Sequence, residues 1–460
     1  MMRYVLKMRG VHHRRQAALL RAAMPRESVC FLLCRRVGVE DDVIYLVDDI
    51  VPVEPTDYIE QAEDIASVSP AAMSSVAKRA RADGRVIVMA HLHPMTDRDV
   101  HFSHADHVGN ARSFAFFHRQ APQPEHVALV WNSAIDECQG LVYGRDRATA
   151  VALDSVVVVD EDRWVEHVHH GASVDRRFDR QALLLGPEGQ HAIARAAFTI
   201  VGLGGTGSLA SLALIHHGAR DMTLVDDDLV DLTNLPRIPA SCPKDAGVRN
   251  KAELARDYAI AHAPEATVRA ITLNVEDPEV LRALVRSAVV IVCTDNTTSR
   301  AFLNQICQQY LIPLLDIGVQ FVVDANGAVV NEIGRVNLCR PGAPCLWCSG
   351  HINAERLAAE AKPRAERDRA GSYLRGFDLP EPSMLAFNME IVGRAMQVLV
   401  GYITGLFSQP PTTFEQRSFL RPKGGMMSRM VAKVNQPGCL FCASVGKAED
   451  VPPIIRHRAM

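Results

Sequence analysis

The sequence predicts two α/β domains. These are an N-terminal α/β domain over residues 1–150 and a C-terminal, Rossmann-like, doubly wound parallel sheet over 175–460, with 151–174 as the connection. Three observations carry this expectation. At ~150 residues per domain, 460 residues make two large domains or three smaller ones. From about 175 onward, short apolar runs alternate with helical patterning, the signature of a mostly parallel sheet covered by helices. A glycine-rich turn, Gly202-Leu-Gly204-Gly205-Thr-Gly207, joins the first of those strands to a helix. Hydrophobic residues at 48% and charged residues at 22% exclude a disordered, collagenous or coiled-coil chain.

Taken in order, helical patterning around Gln16–Met24 precedes buried-strand runs at Phe31–Leu33 and Val86–Ala90. The stretch 151–174 holds Val156–Val159, acidic residues and a His-rich patch from Glu166 to His170, and reads as a solvated connection. In the second domain Phe198–Val201 is a strand, Ser208–His217 a helix and Met222–Val225 the next strand. Ala288–Cys293 and Ile312–Leu315 are further buried strands. Gly and Pro cluster at 408–425, a surface loop. There is no internal repeat.

Lys and Arg number 50 against 53 Asp and Glu, a net charge of −3, which gives no footprint for nucleic acid or an anionic membrane. The longest apolar stretches, such as 395–407, are shorter than the ~20 residues of a membrane span. Charges interrupt the first ten residues, so no signal-peptide core is expected there, and the expected location is cytoplasmic. Eleven cysteines argue against a closed disulfide framework.

The first motif is His91-Leu-His93-Pro94, followed by Ser103-His-Ala-Asp106. On a strand, His91 and His93 present their imidazoles on one face. Ser103 and Asp106 have helix N-terminus spacing, which brings a carboxylate to the first turn. Two His and one Asp leave a fourth tetrahedral position for water, the pattern of catalytic zinc. Together with an upstream Glu, these residues resemble the signature of the JAMM (MPN/JAB) metallopeptidases. The resemblance covers most of residues 1–150 and implies Zn on His91, His93 and Asp106. It maps the general base onto Glu27 in Pro25-Arg-Glu27-Ser-Val-Cys30, with Ser103 steadying the oxyanion. Glu40 and Glu54 are the competing candidates for the base. Cys30 and Cys34 stand where the family usually has glycine.

The second motif, Gly202 to Gly207, allows close phosphate approach at a helix N-terminus, and Asp226 after the next strand is placed for a ribose hydroxyl. These residues alone leave an NAD enzyme open. Asp226-Asp-Asp228, then Asn234-Leu-Pro-Arg237, Lys251 and Cys293-Thr-Asp295-Asn296 resemble the ThiF family of ubiquitin-like-protein activating enzymes over 175–460. By that resemblance Asp226 holds the ribose of ATP, Asn234, Arg237 and Lys251 contact the triphosphate, and Asp295 coordinates Mg. Arg177-Phe-Asp-Arg180-Gln181 resembles the family element whose second Arg reaches the nucleotide of a neighbouring subunit, which implies a homodimer with Arg180 acting in trans.

Cys345-x-x-Cys348 and Cys439-x-x-Cys442 offer four thiolates for structural Zn, with redox chemistry as the alternative. Cys293, Cys307 and Cys138 read as core residues. The fused resemblance implies a ubiquitin-like-modifier activating enzyme joined to a deubiquitinase-like metalloprotease in a bacterial ubiquitination-like pathway. Its partners would be a ubiquitin-like protein with a C-terminal glycine tail and a conjugating-enzyme homologue or a sulfur donor. Alternatives are activation of a sulfur carrier, or a first domain that only binds the modifier. Residues 349–438 contain no Cys, so the acyl group is expected to pass directly to a partner thiol. Ser349, Ser372, Cys242 and Cys339 are the other candidate acceptors.

Overall fold

In the first sheet the central strands read as unbroken apolar runs because helices cover both faces. The computed structural model describes residues 2–145, 150–160, 163–167, 174–324, 328–361, 382–407, 413–419, 424–431 and 433–448. The chain forms two compact units, which for the bulk of the sequence are Met1–Ala172 and Ser173–Val445.

The first unit begins with β1 (Arg3–Arg9), α1 (Gly10–Arg21), β2 (Ser28–Val39) and β3 (Asp42–Pro52). A short hairpin of β4 (Tyr58–Gln61) and β5 (Ala66–Val68) precedes α2 (Pro70–Ala82) and β6 (Val86–Leu92). Then come α3 (His104–Gln120), β7 (Glu125–Trp131), β8 (Cys138–Gly144), β9 (Val151–Ala152), β10 (Ser155–Val159) and β11 (Trp164–His167). The nine-stranded sheet runs β11-β10-β1-β3-β2-β6-β7-β8-β9. Leu20 of α1 packs into the apolar layer on one face. Val76 and Ala80 of α2 and Phe114 and Phe117 of α3 fill the other.

Residues 151–167 are not the expected connection. Val156–Val159 is buried and β10 pairs in parallel with β1, Val5 opposite Ser155, so the first unit extends past residue 150. Four consecutive valines covered on both faces show no alternation, and without it a buried strand has no signature that separates it from a linker. The sheet curves around α1 and brings β11 back toward β7, with His13 of α1 against both the Trp131 and His167 rings. His167 on β11 lies 5.2 Å from the Trp131 ring of β7, and its Nδ1 donates to the Asp136 carbonyl at 2.8 Å. His167 is therefore half-buried rather than solvated, while His169 and His170 lie outside the described residues.

The second unit starts with α4 (Asp179–Arg195), β12 (Ala197–Val201), α5 (Gly205–His217) and β13 (Asp221–Val225). It continues through α6 (Lys251–His262), β14 (Thr267–Ile271), α7 (Pro278–Arg286), β15 (Val289–Val292) and α8 (Thr297–Gln309). Its last elements are β16 (Leu314–Val323), β17 (Val329–Cys339), α9 (Ala354–Glu360), α10 (Leu385–Thr404), β18 (Thr413–Phe419) and β19 (Met426–Met430). The sheet order is β14-β13-β12-β15-β16-β17-β18-β19, parallel from β14 to β16 and antiparallel beyond. From β12 the chain winds outward through β13 and β14, then returns to β15 on the other side. That reversal opens a crevice at the carboxyl ends of β12 and β15. Within the expected surface loop at 408–425, residues Thr413–Phe419 instead pair with β17. The turn residues around them masked the strand in the sequence. No helix among the described residues is long and apolar enough to cross a membrane.

Candidate functional sites

His91 and His93 leave the end of β6 on one face, as their spacing requires. Ser103 caps α3: its Oγ accepts the Asp106 amide at 3.1 Å, and Asp106 Oδ2 accepts the Ser103 amide at 2.7 Å. This capping box aims the Asp106 carboxylate back at the strand. His91 Nε2 lies 3.3 Å from Asp106 Oδ1, His93 Nε2 3.2 Å from Oδ2, and the two Nε2 atoms are 3.2 Å apart. Tetrahedral zinc with ligands at about 2.05 Å has edges of about 3.3 Å, so the three atoms fit one metal-ligand face.

Glu27 stands beside that face, 7% exposed, with Oε1 3.6 Å from His93 Nε2. Burial pushes its carboxyl up to about 7, against the pull of His93. Asp106 is also penalised by burial, but hydrogen bonds from His91 and His93 hold it well below the usual carboxylate range. The rival candidates stand elsewhere: Glu40 is exposed at the β2–β3 turn with φ 51°, and Glu54 caps a short 3₁₀ turn. A residue that the sequence did not single out, Gln61, donates from Nε2 to the Glu27 carbonyl at 2.8 Å, while the Glu27 amide donates to Ala62 at 2.7 Å. Its only sequence signal was the polar hairpin after β3.

At the crevice of the second unit, Gly202 has φ 87°, and a Cβ there would lie 2.8 Å from the Cys293 carbonyl oxygen. A Cβ on Gly207 would fall 1.8 Å from the Gly202 carbonyl oxygen, so the loop closes only without side chains. Gly204 faces open space, and Gly205 lies beneath Arg237 and Asn388 of α10. Asn388 is a second residue that the sequence did not flag, since nothing in its local pattern marks it apart from an ordinary helix position.

Asp226 Oδ2 accepts the Leu203 amide at 2.6 Å and Oδ1 the Asp228 amide at 2.9 Å. Burial raises its carboxyl, and Lys251 with these two amides draws it back. Lys251 Nζ lies 2.7 Å from Asp228 and 3.9 Å from Asp226. Asn250 caps α6 and donates to the Asp226 and Asp228 carbonyls at 2.9 and 3.0 Å, fixing where Lys251 begins. Asn234 Oδ1 accepts the Asp231 amide, and Arg237 donates to the Thr233 carbonyl at 3.0 Å. Asp295 is exposed in the turn between β15 and α8. The fold thus brings the glycine loop, Asp226, Asp228, Asn234, Arg237 and Lys251 together. Arg180 is exposed at the start of α4, with no hydrogen bond or ion pair to this group among the described residues.

The four thiols converge across 94 residues of sequence. Cys345 Sγ is 3.8 Å from Cys348 and 3.7 Å from Cys439, and Cys348 is 3.6 Å from Cys442. A tetrahedron of sulfurs about 2.3 Å from zinc has edges of about 3.8 Å. The Gln436 amide donates to Cys348 Sγ at 3.3 Å, as a thiolate ligand favours. Cys138 and Cys307 are buried as expected, while Cys293 is half-buried beneath the glycine loop.

The ThiF family model matches residues 178–439, more than half of the chain. The chain belongs to the ThiF family. The SAMP-activating enzyme E1 of Haloferax volcanii is 30% identical over 174 residues, which are 37% of this chain and 60% of that protein. The molybdopterin-synthase adenylyltransferase of Escherichia coli is 31% identical over 183 residues, 39% of this chain and 69% of that one. The E. coli sulfur carrier protein ThiS adenylyltransferase is 31% identical over 141 residues, 30% of this chain and 56% of its own length. The match to the first of these relatives thus spans less than two thirds of its length. Among solved structures, E. coli MccB with ATP is 20% identical with a TM-score of 0.45, covering 58% of this chain and 75% of that one. In this ThiF-family chain the candidate nucleotide site lies within the matched region, and the His91–His93–Asp106 site lies before it.

Proposed function

We propose that the second unit activates a ubiquitin-like or sulfur-carrier protein by ATP-dependent adenylation of its C-terminal glycine, and that the first unit is a zinc metallopeptidase acting on the same modifier. The observation that carries adenylation is the pairing of an open glycine loop with Lys251 and Arg237 in a ThiF-family sheet. A terminal carboxylate oxygen attacks the α-phosphorus, an acyl-phosphate bond forms, and pyrophosphate leaves. Attacker and target are both anionic. Lys251 and Arg237 offset their repulsion, Asn234 and the loop amides orient the phosphates, and Asp226 holds the ribose. Asp295 would hold Mg²⁺, which when bound adds positive charge at the phosphates.

For the first unit, the supporting observation is the matched ligand face of His91, His93 and Asp106 with Glu27 beside it. Zinc held there would acidify a bound water and polarise the scissile carbonyl. Glu27 is placed to take a proton from the attacking water. Ser103 Oγ accepts the Asp106 amide and so keeps its own proton to donate to the oxyanion. Such a peptidase trims a precursor to its glycine tail or frees the modifier from a conjugate. The full chain should bind two zinc ions, one lost with His91→Ala and one with Cys345→Ser, and should exchange ATP with pyrophosphate only when a glycine-tailed protein is present. One zinc in the unaltered chain would leave the first unit a binding module.

The sulfur-carrier reading is favoured by two of the relatives and by the lack of Cys in 349–438. On either reading the adenylate passes to a partner's thiol or a sulfur donor. Ser349 and Cys339 are buried, Cys242 donates its thiol to Asp245 at 2.9 Å, and Ser372 lies outside the described residues. A reductant-sensitive adduct mapped to this chain would contradict direct transfer.

Arg180 serves a second copy of the chain. Leu183 and Leu184, on the same segment of α4, are 88% and 67% exposed, apolar surface that a homodimer would cover. Mixing inactive Arg180→Ala and Asp295→Ala chains should restore part of the exchange activity, because each mixed dimer has one whole site. No recovery despite verified subunit exchange would refute the trans role.

A further inference from the structure

The turn that carries Asp295 is anchored from a distant part of the chain. On its strand side the Cys293 amide donates to the Val201 carbonyl at 2.8 Å. On its helix side the Thr297, Thr298 and Ser299 amides stand in the first turn of α8, where they have no partner inside the helix. Asn296 caps one of them, its Oδ1 accepting the Ser299 amide at 2.7 Å. The other two donate to Glu360, the last residue of α9. Glu360 Oε1 accepts the Thr297 amide at 2.8 Å, and Oε2 accepts the Thr298 amide and hydroxyl, each at 2.7 Å. Burial penalises this carboxylate, but the donors outweigh it and hold the group below the usual carboxylate range, so it is charged at neutral pH.

Glu360 is itself held in place. The segment that brings it starts at the Cys345–Cys348 pair, where the Leu346 amide donates at 3.0 Å to Oδ1 of Asn304, a residue of α8 that is 1% exposed. The His351 and Ile352 amides donate back to the Leu346 carbonyl at 2.9 and 3.4 Å, and the Ile352 side chain is buried. Asn353 then starts α9, its Oδ1 accepting the Arg356 amide at 2.8 Å. The chain from Cys345 to Glu360 is thus tied to α8 at both of its ends.

A neutral acceptor could satisfy the same amides, so the charge is what a carboxylate adds. Asp295 is exposed at the carboxyl end of β15, an oxygen ligand of the kind that hard divalent cations take. It stands directly before the positive end of α8, and the charge of Arg300 also acts on it. Both disfavour a cation at Asp295. Glu360 sets a fixed negative charge against that helix end, and its hydrogen bonds hold the turn through the residues next to Asp295 and Asn296.

We propose that Glu360 is a positioning residue for the metal at Asp295: it fixes the Asp295–Asn296 turn and offsets the positive end of α8, so that Asp295 takes a divalent cation together with the nucleotide. This rests on the adenylation reading above, in which Asp295 holds Mg²⁺. The test is Mn²⁺ binding to the full chain by electron paramagnetic resonance, counting the ions that bind only when a non-hydrolysable ATP analogue is present. Glu360→Gln keeps the size of the side chain but loses its charge and one of its two acceptor oxygens. Its Kd for Mn²⁺ should rise roughly tenfold, while the analogue alone binds as it does to the unaltered chain. In ATP–pyrophosphate exchange the variant should need correspondingly more Mg²⁺ for half its full rate and then reach nearly the parent rate. A helix cap with no bearing on the metal would lower the melting temperature and leave both metal dependences where they were. Thr298→Val removes one donor to Glu360, keeps the charge and fills the same space, so its Kd for Mn²⁺ should rise roughly threefold. Unchanged Mn²⁺ affinity in Glu360→Gln, or in Thr298→Val should Glu360→Gln fail to fold, would overturn the assignment while leaving adenylation in place. Mn²⁺ bound as tightly by Asp295→Asn as by the unaltered chain would take the metal away from Asp295, and this assignment with it.

Discussion

Glu27→Gln should abolish hydrolysis of a glycine-tailed precursor and leave modifier-dependent ATP–pyrophosphate exchange at its full rate. The amide keeps the size of the side chain and its hydrogen-bonding reach, but it cannot take a proton from water. A positioned general base contributes roughly 10²–10⁴-fold, so residual cleavage should fall by that factor. Burial favours this exchange of groups, because Glu27 is 7% exposed and its carboxylate is already penalised there. The variant should therefore fold at least as stably as the parent, which a thermal melt checks. If cleavage and exchange fell together while the melt was unchanged, two independent sites would be the wrong description.

Lys251→Ala should lower exchange by roughly 10²–10³-fold, the scale of losing one charge-stabilising group at a reacting centre. The structure adds a second consequence. Lys251 lies 3.9 Å from Asp226, which is itself buried, so the variant leaves that carboxylate without its nearest cation. The apparent affinity for ATP should fall along with the rate, and peptide hydrolysis by the first unit should not change. Steady-state exchange at varied ATP separates the two effects. An unaltered rate would remove Lys251 from the site.

Much of both sites was legible because their motifs are local. His-x-His on a strand and Ser-x-x-Asp at a helix start each dictate geometry within a few residues, and the structure joins them at 3.2–3.3 Å. The glycine loop is of the same kind, since the clash at Gly207 arises within its own turn. Gln61 and Asn388 were not legible. Each acts on a residue far away in sequence, and a polar side chain in a hairpin, helix or strand carries no mark of the neighbour it will meet.

The sequence by itself determined the parallel α/β character of the second unit, the membership of each local motif, and the residue types available to bind metal and nucleotide. Those properties follow from periodicity and spacing, which act over a few residues. Only the tertiary structure decided where the first unit ends, because the buried valines of 156–159 have no alternation and become a strand only by pairing with β1. It also stands Glu27, the carboxylate that the sequence already favoured, beside His93 and leaves Glu40 and Glu54 at turns. It alone joined two Cys pairs 94 residues apart, since contacts between distant segments are fixed by the packing of the whole unit.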